Sequence, residues 1–216
     1  MIEGDGLEYE ILVASAKHVS SNNISGLTCE IGVRRGLGSC LIMQEVQTND
    51  EKRFLNQHVA IDPYGSIPYF DDVLGDHDGG YSNSMRRETA SSLFQLANQN
   101  NWNLTFMFIE SSEYFVRYAD GVPVYDDRSG KKSILDKYSL VHFDGQHTRQ
   151  DVIDEFAFFE NKMCKGGIMV FDDIETYDHS EIERDFILKN TSYKLFAKGK
   201  RKAAYIFEPE ALRGVQ

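Results

Sequence analysis

Positive charge, cysteine and proline are all scarce in this chain, and each scarcity excludes something. Lys and Arg number 23 against 34 Asp and Glu, a formal charge of −11. A surface that acidic repels a phosphate backbone, so non-specific nucleic-acid binding is excluded. No apolar run approaches the ~18 residues that a membrane-spanning helix needs. Met1–Asp5 is acidic where a secretion signal requires positive charge followed by an apolar stretch. The 3 cysteines, Cys29, Cys40 and Cys164, are odd in number, and each lies inside an apolar run. That usage predicts reduced thiols and a cytoplasmic protein, and the spacing lacks the paired clusters of a zinc site. Against only 4 prolines stand 17 glycines, several at positions that need tight turns.

The 216 residues are 41% hydrophobic and 12% aromatic, enough for one well-packed domain and too apolar for a disordered chain. Short apolar runs over Leu27–Val33, Gln57–Asp62, Trp102–Ile109, Ser139–Asp144 and Gly167–Asp172 read as parallel strands covered on both faces. Between them, Ser39–Gln47, Ser84–Gln99 and Thr148–Met163 carry apolar residues at helical spacing. Thr148 is the expected N-cap of the last, with Asp151 at the third position, and Lys165-Gly166-Gly167 is expected to close it. Ile182–Lys189 reads as helical. Tyr193–Ala197 and Ala203–Phe207 read as an antiparallel hairpin across the basic turn Lys198–Lys202. The predicted fold is α/β: a Rossmann-like open, mostly parallel sheet flanked by helices, with an antiparallel C-terminal hairpin. Residues 1–216 form one domain, in which 1–26 is an N-terminal helical extension with a helix over Leu7–His18. The polar, glycine-rich segment 63–83 is a lid or substrate loop, and 118–132 is a hairpin insertion.

Ligands of open α/β sheets bind beyond the carboxyl ends of the strands. The first strand ends in Glu30-Ile31-Gly32-Val33-Arg34-Arg35-Gly36, an acid followed by a glycine turn and a helix. That order lets backbone approach a ligand and presents helical N–H groups, although its spacing is not the dinucleotide fingerprint. The second strand ends in Asp62-Pro63, where an acid can accept ribose hydroxyls. The fourth ends in His142-Phe143-Asp144-Gly145-Gln146-His147, and the fifth in Phe171-Asp172-Asp173. In a parallel sheet Asp144, Asp172 and Asp173 share one rim. With no Lys or Arg beside them in the sequence, three carboxylates repel one another unless protonated or bridged by a hard cation such as Mg²⁺, Mn²⁺ or Ca²⁺; the other reading is a solvated acidic rim.

Taken in order, E-I-G-V-R-R-G, I-D-P, F-D-G-Q-H and K-G-G-I-M-V-F-D-D resemble the Rossmann-like (class I) S-adenosylmethionine-dependent methyltransferases. The resemblance is closest to the small-molecule O-methyltransferase branch that includes macrocin O-methyltransferase. It spans about Leu27 to Asp173 and continues through the hairpin. It implies S-adenosylmethionine as cofactor, held by Glu30, Gly32 and Gly36 on its methionine and ribose side and by Asp62 on the ribose. Ser111 and Ser112 fall where the family contacts adenine. The metal ligands, Mg²⁺ above all, are matched by Asp144, Asp172 and Asp173, with Asp144 bordering the cofactor as well. His147 matches the histidine of D-G-x-H. Two positions depart from the pattern: Arg34 replaces a glycine, and Gln146 stands where some relatives carry an acid.

The implied reaction is metal-assisted O-methylation of a hydroxyl on a small molecule or sugar, with His147 as base and Asp144 beside it. A homo-oligomer is possible. His142 is expected to be structural, and His77, in the long loop, is a second candidate for contact with substrate. Tyr64, Tyr69, Phe70 and Tyr81 of that loop are candidate apolar contacts. Two other readings use the same residues: a metal-dependent hydrolase, and a nucleoside-binding domain without turnover.

Overall fold

Five apolar runs expected to be covered on both faces leave the chain one economical arrangement, a parallel sheet between two helical layers, with the edge strand Leu104–Met107 half-buried. The computed structural model describes residues 2, 4, 6–47, 57–65, 81–125 and 130–209. In chain order the elements are α1 Tyr9–Ser21, β1 Leu27–Ile31, α2 Leu37–Val46, β2 His58–Ile61, α3 Asn83–Asn100, β3 Leu104–Met107 and α4 Ser111–Arg117. They continue with β4 Val122–Tyr125, β5 Lys132–Leu135, β6 Tyr138–Phe143, α5 Arg149–Glu160 and β7 Met163–Phe171. A short α6, Ser180–Ile182, runs into a π-helical turn over Glu183–Ile187, and β8 Tyr193–Lys198 and β9 Ala203–Phe207 close the chain. Among the described residues no helix is long and apolar enough to cross a membrane.

The seven-stranded sheet has the order β3-β2-β1-β6-β7-β9-β8, parallel from β3 to β7 and antiparallel through β9 and β8. The chain winds outward from β1 to β3, then returns to place β6 on the other side of β1. The order therefore reverses between β1 and β6, where such sheets bind ligands. β4 and β5 form a separate antiparallel pair, Val122 opposite Leu135 and Tyr125 opposite Lys132, with residues 126–129 outside the described residues.

Alternation along each strand splits the core in two. Cys29, Ile31, Val59, Ile61, Val141, Phe143, Met169 and Phe171 face Tyr114, Phe156 and Phe159 of α4 and α5. Leu140, Ile168 and Val170 face Ile11, Leu12, Ala16, Val19, Ile42 and Val46 of α1 and α2. Rings dominate the first face: Phe143 stacks on Phe171 at 4.5 Å, and Phe159 meets Tyr138 edge-on at 4.8 Å.

The expected Thr148 cap is present, Ser82 caps α3 in the same way, and the expected glycine close of α5 is not found. Ser82 accepts from the Met85 N–H at 3.1 Å, and Thr148 accepts from the Asp151 N–H at 3.2 Å. The glycines at 166–167, expected to end α5, lie instead inside β7. The helix stops at Glu160, and the register against β6 slips between Tyr138 and Leu140. Gly166 has φ +81°, and a side chain on Gly167 would meet the Cys164 carbonyl oxygen at 2.9 Å. Helix C-caps and bulges both select glycine for positive φ, so composition alone did not separate them.

Candidate active site at the strand ends

Backbone ladder bonds carry the parallel strands past their formal ends and set the rim. Asp62 N–H donates to Met107 O (3.1 Å), Gly32 N–H to Ile61 O (2.9 Å), Asp144 N–H to Ile31 O (2.8 Å) and Asp172 N–H to Phe143 O (3.0 Å). The expected site residues at the ends of β1, β2, β6 and β7 are thereby adjacent. Gly32 is indispensable here. It has φ +82°, and any Cβ would overlap the Asp144 carbonyl, so the chains at the switch point touch through bare backbone. Gly36, φ +87°, is the N-cap of α2, and no side chain caps that helix.

The two acids expected on the cofactor are turned inward. Asp62 is 2% exposed; its Oδ2 accepts from the N–H groups of Val33 (3.0 Å) and Arg34 (2.9 Å), and Oδ1 accepts from Tyr64 (3.0 Å). It ties down the turn after β1. Arg34 sits there at φ 44°, a left-handed conformation that is costly for a residue with a Cβ and free for glycine. Its carbonyl repays part of that strain by accepting from the hydroxyls of Tyr64 (2.7 Å) and Thr89 (2.9 Å). Burial pushes the Asp62 carboxyl up to about 6, opposed by those three backbone donors.

Glu30, 1% exposed, accepts from the Ser39 hydroxyl at one oxygen and meets His142 Nδ1 at 2.9 Å with the other. Gly38 has no side chain because a Cβ would overlap that carboxylate. The bond belongs to a row of polar residues crossing the sheet on the α1/α2 face. His58 stands opposite Thr28 and His142 opposite Glu30 in the strand register. His58 meets the Thr28 hydroxyl at 3.0 Å and the Ser39 hydroxyl at 2.9 Å. Burial, with His142 nearby, lowers the His58 pKa to about 3. At the far end Lys202 Nζ is 3.4 Å from His142 Nε2 and forms an ion pair with Asp172. One tautomer of His142, its proton on Nδ1, donates to Glu30 and accepts from Lys202. His142 is thus structural, as expected, while His58, Ser39 and Lys202 escaped the sequence reading.

The aspartates differ from expectation in one respect. Asp172 pairs with Lys202, both almost fully buried, and Asp173 pairs with Arg201. Two of the three carboxylates do have basic partners, which arrive from the β8–β9 turn, about thirty residues downstream, where the sequence shows only the basic turn of a hairpin. Donor atoms of Asp144, His147 and Asp173 lie within 4.8 Å of one another, as do those of His142, Asp144 and Asp172. The spacing suits a cation. The donor chemistry does not, since one oxygen of Asp172 and one of Asp173 already face a positive charge. His147 Nε2 is 3.6 Å from Asp173 Oδ2, and the ring stacks on Tyr177 at 4.7 Å. Asp173 holds φ 52°, a strained conformation at the rim.

Ser111 and Ser112 open α4 beyond β3. Ser111 lies against Glu155 of α5, which also approaches Gly145; a Cβ there would be 3.6 Å from Glu155 Oε1. Glu155 is 1% exposed, and neither of its oxygens has a partner of normal hydrogen-bond geometry. Burial raises its pKa to about 8. Tyr64 is buried against Phe106, Phe108 and Tyr81, so it packs the scaffold and is not available as an apolar contact for an acceptor. His77, Tyr69 and Phe70, with most of the expected lid, lie outside the described residues.

The N-terminal segment fastens the basic turn. Glu8 accepts from the N–H groups of Lys200 (2.9 Å), Arg201 (2.8 Å) and Lys202 (3.0 Å), which hold its carboxyl below the usual range. The Tyr9 ring lies 5.4 Å from the Lys202 ammonium.

Comparison with known proteins fits this geometry. The fold matches a Corynebacterium glutamicum protein (TM-score 0.62, 15% identity, 98% of this chain and 85% of that one). It also matches the O-methyltransferase TomG of Streptomyces achromogenes, solved with S-adenosylmethionine (0.61, 11%, 96% and 82%). The calicheamicin methyltransferase CalS11 is a third (0.58, 16%, 91% and 77%). No curated protein sequence matches. The profile of a methyltransferase-domain family matches residues 29–174, about two thirds of the chain and the whole of the rim from Cys29 to Ile174. The chain therefore belongs to that methyltransferase family and folds as the solved O-methyltransferases do.

Proposed function

We propose that this chain transfers a methyl group from S-adenosylmethionine to a hydroxyl of a small molecule or sugar. The observation that carries the reading is the switch point itself, where Gly32 packs bare against Asp144 while His147 and Asp173 stand together on the same rim. The residues suit the cofactor. The uncapped N-terminus of α2 offers N–H groups to a carboxylate. Glu155, with its unpartnered oxygens beside Ser111 and Gly145, offers hydrogen bonds to a nucleobase edge. Glu30 and Asp62 act as positioning residues for the turn between them. Gly36 lets α2 begin at that turn, and Ser111 and Ser112 border the base.

Bound S-adenosylmethionine supplies a methyl group already activated on a sulfonium sulfur. What remains for the protein is to align the acceptor oxygen and take its proton as the O–C bond forms and the S–C bond breaks. Asp173 beside Nε2 favours the tautomer protonated there, which directs proton uptake to Nδ1 of His147. Stacking on Tyr177 fixes the plane of the ring.

Calorimetry with S-adenosylhomocysteine tests the cofactor assignment, and a methyl-transfer screen over hydroxylated acceptors tests the reaction. Absence of S-adenosylhomocysteine binding refutes the reading. Loss of turnover in His147→Ala with cofactor affinity retained supports the base.

A further inference from the structure

The rim that carries Asp144, Asp172 and Asp173 also carries two cations of its own. Lys202 is 0% exposed and paired with Asp172, which is 2% exposed. Arg201 pairs with Asp173. Neither pair is a chance meeting of surface chains. β9 runs antiparallel to β7 with Phe171 opposite Ala203, so the residues just beyond, Asp172 and Lys202, fall opposite each other on the α1/α2 face. The turn that delivers both cations is clamped at three successive N–H groups by Glu8. Lys202 has further partners in His142 Nε2 and the Tyr9 ring.

Three carboxylates carry −3, and the two side chains return +2. The sum, −1, equals that of three carboxylates around one divalent ion. To enter, such an ion would have to compete with Arg201 for Asp173. It would also have to drive the Lys202 ammonium off Asp172 at a place that water does not reach, which leaves a buried unpaired charge.

We infer that Lys202 and Arg201 are built-in counter-ions standing where a divalent cation would otherwise be needed, so that this chain works with no metal at its rim. The inference rests on the methyltransferase reading. Lys202 fixes Asp172 and, through His142, Glu30; Arg201 fixes Asp173, which orients His147. Both are positioning residues.

The test is a titration of the full chain with Mn²⁺, followed by the electron paramagnetic resonance signal of the free ion, beside calorimetry with S-adenosylhomocysteine in EDTA and in Mg²⁺. Wild type is expected to leave the Mn²⁺ signal as in buffer, and to bind S-adenosylhomocysteine equally in both media. Arg201→Gln uncovers Asp173 on the partly open side and is expected to raise Mn²⁺ affinity by at least about tenfold. Lys202→Met is expected to do the same if it folds, and Arg201→Gln decides the matter if it does not. Stoichiometric Mn²⁺ binding by wild type overturns the inference. So does absence of any gain in the variants, since the side chains would then not occupy the ion's place. Failure of wild type to bind S-adenosylhomocysteine refutes the cofactor reading instead, and the Mn²⁺ arm still decides the counter-ion assignment by itself.

Discussion

The two sides of the rim solve one problem in different ways. On the β1/β2 side, carboxylates are buried and satisfied with no lysine or arginine: Asp62 by three backbone N–H groups, Glu30 by Ser39 and His142. On the β7/β9 side, they are satisfied by full positive charges, Lys202 and Arg201. Backbone donors fix a loop without adding charge to the crevice. Ion pairs fix it and also set the charge that an incoming donor meets. The first side shapes and the second balances.

The largest way to break this comparison is to separate the halves where they touch. Gly32→Ala places a methyl group in the Asp144 carbonyl at positive φ. It should cost at least about 4 kcal/mol, seen as a midpoint fall on the order of 10 °C or as loss of folding. Next comes the charged side. Lys202→Met strands Asp172 and should cost about 3 kcal/mol in chemical denaturation, whereas neutralising both partners in Lys202→Met/Asp172→Asn should recover most of it. On the neutral side, Asp62→Ala leaves three N–H groups without an acceptor. It should cost about 2 kcal/mol and weaken S-adenosylhomocysteine binding roughly tenfold by calorimetry. Unchanged affinity would mean that the turn does not serve the cofactor.

A fourth prediction concerns pH. Glu155 has its folded pKa raised from 4.5 to about 8 by burial, so the unfolded chain loses that proton first. Its contribution is present below about 4.5 and drains away as pH rises to about 8. His58 and His179, lowered by burial to about 3 and about 4, act oppositely below 6.5, where the unfolded chain gains protons that the folded one refuses. Between about pH 6.5 and 8 the Glu155 slope should stand alone at about −1.4 kcal/mol per unit. Glu155→Gln should flatten it in denaturation series at stepped pH, and an unchanged slope would contradict the assignment.

The strands were legible because parallel strands covered on both faces are mostly apolar, and β1, β6 and the end of β7 are buried along their length with only a few polar residues among them. The rim acids were legible for the same reason, since Glu30, Asp62 and Asp172 interrupt such runs. Their partners were not. Lys202 lies thirty residues from Asp172, and nothing local distinguishes a lysine that will be buried from one that stays in a turn. Nor did the sequence reveal that Glu30 and Asp62 point inward, because which way a strand-end side chain turns depends on neighbours from other strands, here Ser39, His142 and the turn after β1. The helix α4 was missed because seven residues with no side-chain cap hydrogen bond leave little periodicity to read.

The grip of Glu8 on Lys200–Lys202 gives the first few residues a reach beyond their own location. A version of the chain trimmed to begin at Tyr9 would keep every strand and every rim aspartate, yet its basic turn would hang by one end. Proteolytic clipping or a bulky N-terminal fusion would therefore be felt at the β8–β9 turn, in the chemistry of the crevice before it showed in the stability of the core.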